Sequence, residues 1–211
     1  MINNNKYVIW DWNGTLLDDT TLCMDLMNYF LRTKNKKQIN LETYKEIFTF
    51  PVFDYYLNAG LEIDEKEFKE LSIDFIDKYE TFKYECPLFS DVRNTISKLK
   101  ENEINQSVLS AYSQDQLEEF LTHYGLIENF ENVVGLDNIY AAGKIENGKK
   151  LINKIEASPE EVVLIGDTLH DLEVANEIGC NCILVSRGHQ SKERLIKSGA
   201  KVIDSFNELF N

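Results

Sequence analysis

A carboxylate at the end of an apolar segment is the first feature of this chain that could do chemistry. Residues 8–10 are apolar, Asp11 ends the run, and the chain turns at once through Asn13 and Gly14. This pattern predicts a β-strand with an acid at its tip, and open parallel sheets bind ligands outside the carboxyl ends of their strands. Gly14 allows the backbone to turn and to approach a ligand closely. An ordinary Asn-Gly turn, with Asp11 capping the next helix, explains this stretch equally well.

A second acidic stretch repeats this design far along the chain. Residues 162–165 are wholly apolar, as in a strand buried on both faces of a parallel sheet, and Gly166, Asp167 and Asp171 follow. Either Asp167 or Asp171 could simply cap the helix that follows. Helix capping does not explain why the strands before Asp11 and Asp167 both end on an acid in the same way. Carboxylates at neighbouring strand ends form a hard oxygen cluster, which suits Mg²⁺. The sequence therefore favours a metal site that combines these acids with Asp11.

The elements that must position these acids fall into two regions. Between residues 18 and 85, apolar residues recur at helical spacing without one convincing strand. From residue 86 onward, apolar runs typical of strands alternate with amphipathic helices, which indicates a parallel sheet with right-handed crossovers. Helices are predicted near residues 22–31, 41–50, 52–58, 64–79, 92–99, 117–125, 149–155 and 172–179. Strands are predicted near residues 8–11, 107–110, 130–134, 162–165, 182–185 and 202–203.

The predicted fold class is therefore α/β, a Rossmann-like parallel sheet flanked by helices with an inserted all-helical cap domain. Residues 1–17 and 86–211 would form the α/β core, and residues 18–85 would form the cap directly after the first strand. The aromatic residues between positions 44 and 56 are interpreted as packing inside the cap rather than as a surface for a substrate.

Composition and charge limit the partners of the chain. Its 22 basic and 36 acidic residues give a net charge of -14, which argues against nucleic acid or an anionic membrane as a partner. We find no apolar run long enough to span a bilayer and no signal peptide, and we therefore expect a cytoplasmic protein. The four cysteines have a spacing typical of neither a zinc site nor a disulfide framework. No feature predicts the oligomeric state.

Four short motifs, in this order, resemble those of the haloacid dehalogenase superfamily. Residues 11–15 (D-W-N-G-T) are similar to its D-x-D-x-T motif, and Ser110, at the end of an apolar run, is similar to its second motif. Lys144 is similar to the third motif, and residues 166–171 (G-D-T-L-H-D) match the fourth. The resemblance covers essentially the whole chain and is to the phosphatase branch with a helical cap, of the phosphoglycolate phosphatase and β-phosphoglucomutase type.

This resemblance implies a Mg²⁺-dependent phosphatase that hydrolyses a small phosphorylated metabolite through an aspartyl-phosphate on Asp11. The implied catalytic residues are Asp11, Asn13, Ser110 and Lys144. The implied phosphate ligands are Asn13, Gly14, Thr15, Ser110, Ala111 and Lys144. The implied metal ligands are Asp11, the backbone carbonyl of Asn13, Asp167 and Asp171. Lys149 and Lys150 are alternatives to Lys144, since Ile145 stands where the family usually has a proline after the motif lysine.

Asn13 departs from the family pattern. The phosphatases use an Asp at this position to protonate the leaving oxygen and to activate water, and an amide cannot exchange a proton in that way. Loss of a general acid–base group costs about 10²–10⁴-fold in rate. A phosphomutase or phosphoryl transferase and a catalytically weak phosphate-binding regulatory protein therefore remain alternatives. His170 could supply the missing proton or be simply solvated, His189 is expected to border the site, and Arg187 is a candidate contact for an anion.

Overall fold

Six strands form one parallel sheet in the order β3-β2-β1-β4-β5-β6. The strands are β1 (Tyr7–Trp10), β2 (Asn105–Ser113), β3 (Asn132–Leu136), β4 (Val162–Gly166), β5 (Asn181–Val185) and β6 (Lys201–Ile203). The chain leaves β1 toward β2 and β3 and then returns to the other side of β1 with β4. A topological switch point therefore lies between β1 and β4, where open α/β sheets bind their ligands. The predicted α/β fold class is confirmed.

The computed structural model describes residue 2, residues 5–136 and residues 143–210. The predicted core segments also include residues 1, 3, 4, 137–142 and 211, which lie outside the described residues. The predicted boundaries between core and cap, at residues 17 and 85, stay a prediction.

Helices cover both faces of the sheet and form the segment between β1 and β2. The first four helices of that segment are α1 (Thr20–Thr33), α2 (Leu41–Ile47), α3 (Val52–Asn58) and α4 (Glu65–Phe82), which together we call the helical insertion. The other helices described are α5 (Val92–Glu101), α6 (Gln114–His123), α7 (Lys144–Ile152), α8 (Leu169–Ile178) and α9 (Lys192–Lys197). Short 3-10 turns occupy Lys83–Glu85, Ile127–Asn129, Pro159–Glu161 and Phe206–Phe210.

The start of α7 differs from the sequence-based expectation. The helix was expected over residues 149–155, but it begins at Lys144 and ends at Ile152. Its first turns carry polar residues and Gly148, which interrupt the apolar periodicity. Gly148 is nevertheless buried. Because it has no side chain, α7 packs closely on Leu109 and Val174 at this position. The earlier start matters for function, since it brings Lys144 to the sheet edge.

Two further helices differ from expectation: α2 ends earlier, and α9 was not predicted. The helix predicted for residues 41–50 ends at Ile47, because Phe48 is extended and the Arg194 side chain takes the carbonyls of Lys45 and Phe48 at 3.0 and 2.7 Å. The six-residue helix α9 was not predicted, as it is too short for a periodic signal. Its one local cue is Ser191, whose hydroxyl accepts a hydrogen bond from the Arg194 N–H.

The core consists of an apolar layer on each face of the sheet and a third inside the insertion. In β1, Val8 and Trp10 belong to one layer while Tyr7 and Ile9 belong to the other, because alternate strand residues point to opposite faces. The third cluster holds residues of all four insertion helices or the turns beside them. The insertion thus has an apolar core of its own. Among the described residues, we find no helix with the length and hydropathy that crossing a membrane requires.

Replacing Leu164 with alanine tests the central role of β4. Leu164 is fully buried between helices and sheet, so Leu164→Ala should reduce the free energy of unfolding by about 2–5 kcal/mol. The matched control is Leu57→Ala on the outer surface of α3, where the leucine is 40% exposed and the change should stay within about 0.5 kcal/mol. Chemical denaturation measures both, and similar losses in the two variants would contradict the layer assignment.

Candidate active site

Asp11 and Asp167 lie at the tips of adjacent parallel strands, at the switch point of the sheet. Asp11 directly follows β1, and its N–H donates to the carbonyl of Ile165 at 2.9 Å, which continues the pairing of β1 with β4. Asp167 follows Gly166, the last residue of β4. Both side chains are buried. The strand-tip interpretation of both acids therefore agrees with the structure.

Lys144, the first residue of α7, lies between two carboxylates. Its Nζ donates to Asp11 Oδ1 at 2.5 Å and to Asp171 Oδ1 at 2.6 Å. Burial acts to lower the pKa of Lys144, but the charges of Asp11 and Asp171 raise it above its ordinary value. Lys149 forms ion pairs on the outside of the helix, and Lys150 is exposed. Of these three lysines, only Lys144 reaches the site.

Asp171 is fixed by the first turn of α8 as well as by Lys144. Its Oδ2 accepts hydrogen bonds from the Thr168 N–H at 3.0 Å, the Thr168 hydroxyl at 2.7 Å and the Asp167 N–H at 3.2 Å. This is a capping box, so Asp171 does cap a helix. Burial acts to raise the pKa of Asp171, but the charge of Lys144 and these hydrogen bonds lower it. Asp171 is therefore ionised, with both oxygens engaged.

The hydroxyl of Thr15 lies between the carboxylates of Asp11 and Asp167. Thr15 Oγ1 lies 3.0 Å from Asp11 Oδ2 and 3.0 Å from Asp167 Oδ1, yet it has a single proton to donate. Burial raises the pKa of Asp11 to about 6 and that of Asp167 to about 7, although Lys144 and His189 act against it. The site therefore carries more negative charge than its own donors compensate.

The three carboxylates fit a divalent cation. One oxygen from each of Asp11, Asp167 and Asp171 lies within 4.8 Å of the others. Three carboxylates and the Lys144 ammonium leave two negative charges, which one divalent cation would compensate. The backbone carbonyl of Asn13 accepts no hydrogen bond from the part of the chain that the structure describes, so it is available as a further ligand. Such a set of hard oxygens suits Mg²⁺.

A second group of possible ligands is a poorer match. Asp19, Cys23 and His189 also bring one ligand atom each within 4.8 Å of one another. However, Asp19 Oδ1 accepts from the Gly14 N–H at 2.9 Å, and Asp19 Oδ2 accepts from the Asn13 amide at 2.8 Å. A metal would have to displace these hydrogen bonds, and we assign none to this group.

Asn13 belongs to a buried polar triangle. Its Nδ2 donates to Asp19 Oδ2 and to the Tyr79 hydroxyl, each at 2.8 Å, and that hydroxyl donates to Asp19 Oδ2 at 2.8 Å. Burial acts to raise the pKa of Asp19, but His189 and these donors lower it, so Asp19 is ionised. Both hydrogen bonds that the Asn13 amide donates thus go to Asp19 and Tyr79. Sequence analysis missed both partners, because no motif spacing links them to Asn13.

His189 joins the triangle to the cluster of Asp11, Asp167 and Asp171. Its Nε2 lies 3.2 Å from Asp19 Oδ1, its Nδ1 lies 2.8 Å from the Tyr44 hydroxyl, and its backbone N–H donates to Asp167 Oδ2 at 2.5 Å. Burial acts to lower the pKa of His189, but Asp19 raises it to about 9. His189 borders the site, as expected. Gly188 precedes it, and a Cβ at Gly188 would overlap the Asp167 carboxylate, which makes this glycine a site residue that the sequence did not reveal.

Two other candidates have different surroundings. His170 lies at the cavity wall, where its Nδ1 pairs with Glu173 Oε2 at 2.8 Å and its ring packs on Phe50 at a centroid distance of 4.8 Å. Arg187 donates to Asp91 Oδ1 at 2.7 Å and lies over the Phe89 ring. Arg187 also donates to the Thr15 carbonyl at 3.3 Å, and it does not line the cavity, so the anion contact considered from the sequence is not formed there.

The cavity at this edge of the sheet collects most of the predicted site residues. It has a volume of about 180 Å³ and is bounded by both the sheet edge and the helical insertion. Its walls include the predicted residues Asp11, Asn13, Ser110, Ala111, Lys144, Asp167 and Asp171. Gly14 and Thr15 do not line it, because the Gly14 N–H is bonded to Asp19 and the Thr15 hydroxyl to two carboxylates. The roles of all these residues stay predictions.

Aromatic residues form much of the remaining wall. Tyr44, Phe48, Phe50, Tyr55 and Tyr56 line the cavity. They also stack on one another, for example Phe48 on Tyr55 at a centroid distance of 5.1 Å. The expectation that they pack inside the insertion is thus correct, but the same side chains also face the space above the acids.

Comparison with known proteins agrees with this combination of fold and acidic site. The family model described as haloacid dehalogenase-like hydrolase matches residues 8–185. The chain is 25% identical to the pyrophosphatase PpaX of Bacillus cereus over 186 residues, which cover 85% of this chain and 82% of that protein.

Solved structures have the same fold. A haloacid dehalogenase-like hydrolase from Streptococcus pneumoniae superposes with a TM-score of 0.83 at 15% identity, covering 99% of this chain and 98% of the other. A structure from Clostridium acetobutylicum described as a predicted phosphatase superposes with a TM-score of 0.78 at 23% identity, covering 97% of this chain and 96% of the other.

The fold and the site thus define a phosphatase-type hydrolase with a Rossmann-like core. The chain belongs to the haloacid dehalogenase-like hydrolase family. The family and the enzyme class expected from the sequence are both confirmed.

The metal-free protein should lose stability as the pH rises from about 5 to about 8. The folded-state pKa values of Asp11 and Asp167, about 6 and about 7, lie above the ordinary 3.8, so both groups bind protons more tightly when folded. The stabilisation is complete below the ordinary value and is lost as the pH rises through about 6 to 7. Thermal unfolding with a chelator across this range measures the effect, and Asp167→Asn should flatten it.

Mg²⁺ should counteract this loss, because it binds the ionised carboxylates. Millimolar Mg²⁺ is expected to raise Tm more at pH 8 than at pH 5.5, and the difference should disappear in Asp167→Asn. An equal Mg²⁺ effect at both pH values, or none, would count against the carboxylate cluster as the metal site.

Proposed function

We propose that this protein is a Mg²⁺-dependent phosphatase that hydrolyses a small phosphorylated metabolite through an aspartyl-phosphate on Asp11. The observation that carries the proposal is the placement of Asp11 at the cavity wall, where Lys144 contacts one oxygen and Thr15 the other. Family membership supports hydrolysis, and the acidic cluster beside Asp11 supports a divalent metal.

In the proposed reaction, a carboxylate oxygen of Asp11 attacks phosphorus and the bond to the ester oxygen breaks. The leaving oxygen keeps the bonding electrons and takes up a proton as the alcohol departs. Water then attacks the phosphoryl group, loses a proton, and releases inorganic phosphate, which regenerates Asp11. Lys144 holds the Asp11 carboxylate in position and supplies positive charge beside the transferred group.

The residues around Asp11 divide the other tasks. Asp11, Asp167 and the Asn13 carbonyl would hold Mg²⁺, with Asp171 beside it directly or through water. When bound there, Mg²⁺ would neutralise phosphate charge, which would allow the Asp11 carboxylate to approach the anionic phosphate. Ser110, 1% exposed and at the cavity wall, would donate its hydroxyl to a phosphoryl oxygen, together with the backbone of Ala111. Contacts from Gly14 or Thr15 would require their present hydrogen bonds to exchange.

The hydrogen bonds of Asn13 favour slow turnover rather than fast turnover. Its amide donates to Asp19 and Tyr79, which leaves Oδ1 as an acceptor that can orient a water or a hydroxyl group without exchanging a proton. This observation also favours the second candidate function, a phosphate-binding regulatory protein with weak turnover. Four free cysteines fit the reducing cytoplasm, where we expect the protein to act.

Asp11→Asn should abolish phosphate release while the protein stays folded. The amide is a much weaker nucleophile than the carboxylate, and loss of a covalent nucleophile costs about 10³-fold or more in kcat. Asp54→Asn, on the exposed surface of α3, is the matched control and should retain full activity. Release of phosphate from a panel of monoesters, with circular dichroism for the fold, decides the matter. Full turnover by a folded Asp11→Asn protein would rule out the covalent route.

Asn13→Asp should destabilise the protein when introduced alone but not when it is combined with Asp19→Asn. Alone, it puts a second carboxylate in hydrogen-bond contact with buried Asp19 Oδ2, and we expect a loss of about 3 kcal/mol in the free energy of unfolding. Adding Asp19→Asn removes the repulsion and should restore stability. The double variant should then hydrolyse alkyl phosphates up to about 10²-fold faster than wild type.

The controls for this pair address stability and chemistry separately. Asp19→Asn alone shows what loss of the second carboxylate does, and intact mass of the Asn13 peptide excludes deamidation as a source of activity. Equal turnover of verified wild type and the double variant would mean that another group transfers the proton, and His170→Ala would be the next variant to measure.

A further inference from the structure

The cavity above Asp11 is a narrow aromatic chamber. Phe48, Phe50, Tyr55, Tyr56, Phe68 and Phe75 all contribute to its wall. All six come from the helical insertion or its turns, whereas the acids and Lys144 come from the sheet edge. The volume of about 180 Å³ covers both the acidic edge and the aromatic wall, and a cavity of about 150 Å³ can hold benzene, so the aromatic part has room for no more than one small ring. The part of a substrate beyond its phosphoryl group would therefore meet rings.

Each basic side chain described in the chamber wall is already paired with a carboxylate, so none is available to bind a second anionic group of a substrate. Among the described residues that line it, the basic ones are Lys144, His170 and His189. Lys144 is shared by Asp11 and Asp171, His189 pairs with Asp19, and His170 pairs with Glu173. A substrate carboxylate or second phosphate would be buried against aromatic rings without a counter-charge, which is costly. The leaving group is thus uncharged.

One polar group in this wall has no partner. Tyr55 is 3% exposed, and its hydroxyl makes no hydrogen bond within the part of the chain described here. A buried hydroxyl without a partner is unfavourable, and such groups are usually satisfied by water or a ligand. A single hydrogen-bonding substituent on the ring of a substrate would satisfy Tyr55.

The chemistry of Asn13 points in the same direction independently. Without a proton donor at this position, the leaving oxygen must depart with little protonation. A phenol-type oxygen, with a pKa near 10, does so far more readily than an alkyl alcohol. The shape of the chamber and the missing acid therefore select the same kind of ester.

We propose, building on the phosphatase function above, that the substrate is the phosphate monoester of a small, uncharged aromatic alcohol whose ring enters the chamber formed by the helical insertion. Asp11 attacks phosphorus, the bond from phosphorus to the aryl oxygen breaks, and the aryloxide leaves with the bonding electrons and is protonated by water. A phosphotyrosine peptide is larger than the chamber and is treated as an alternative in the test.

Phosphonates separate binding from leaving-group reactivity, because they have no ester oxygen to lose. Phenylphosphonate should bind the Mg²⁺-loaded protein at least about ten-fold more tightly than methylphosphonate, since it buries a ring. Phosphonoacetate, which adds a carboxylate, should bind no better than methylphosphonate. Calorimetry measures all three. Equal affinities, or a preference for phosphonoacetate, would overturn the assignment of substrate class while leaving hydrolysis untouched.

Two variants and a control locate the binding. Phe50→Ala should reduce the preference for phenylphosphonate about five-fold or more, while Phe82→Ala, 43% exposed at the end of α4 and outside the chamber, should not change it. At least one ring-hydroxylated phenylphosphonate should bind about five-fold more tightly than phenylphosphonate, and Tyr55→Phe should remove that gain. A preference unchanged by Phe50→Ala would overturn the location.

Hydrolysis assays keep this proposal distinguishable from the general one. If no monoester is hydrolysed but phenylphosphonate still binds tightly, the phosphatase function fails and the aromatic specificity is supported. If alkyl, sugar and aryl phosphates are hydrolysed at similar kcat/KM, the phosphatase function holds and the aromatic specificity fails. A phosphotyrosine peptide hydrolysed with a higher kcat/KM than phenyl phosphate would overturn the assignment to a small molecule.

Discussion

The contact of one buried ammonium group with two buried carboxylates is the interaction on which the site depends. Lys144 joins Asp11, at the tip of β1, to Asp171, in the first turn of α8, so three separate elements meet at one charged centre. Removing Lys144 would leave two buried carboxylates without their counter-charge, which is strongly unfavourable. Even complete, the centre with Asp167 keeps a negative excess, and that excess is the physical basis of the proposed cation site.

The helical insertion closes the site through backbone contacts rather than through ion pairs. The Gln190 amide and the Arg194 guanidinium both donate to the carbonyl of Phe48, at 3.1 and 2.7 Å, and Arg194 also takes the carbonyl of Lys45. These contacts satisfy the last carbonyls of α2, which a helix end leaves without partners. The loop after β5 and helix α9 thereby fix the end of α2 and with it the aromatic wall that faces Asp11.

Asn13 and Asp19 are best understood together. An acid at position 13 would meet the buried carboxylate of Asp19, whereas an amide donates to it and to Tyr79. The residue that departs from the family pattern is therefore consistent with its own surroundings. In the proposed mechanism, the same surroundings would leave the enzyme without a proton donor at position 13, so one pair of side chains would govern both local stability and the choice of leaving group.

The local pattern of the sequence was sufficient for the strands, the order of the motifs and the acids at the strand tips. Apolar runs that end on Asp11 and Asp167 carry that information within ten residues, since strand burial and turn chemistry act locally. The N-terminal start of α7 was not predictable from periodicity, because Gly148 and polar residues interrupt it. Only the tertiary structure brought Asp19 and Tyr79 to Asn13, since their contacts join chain segments that no spacing rule relates. It also decided that Arg187 pairs with Asp91 instead of an anion.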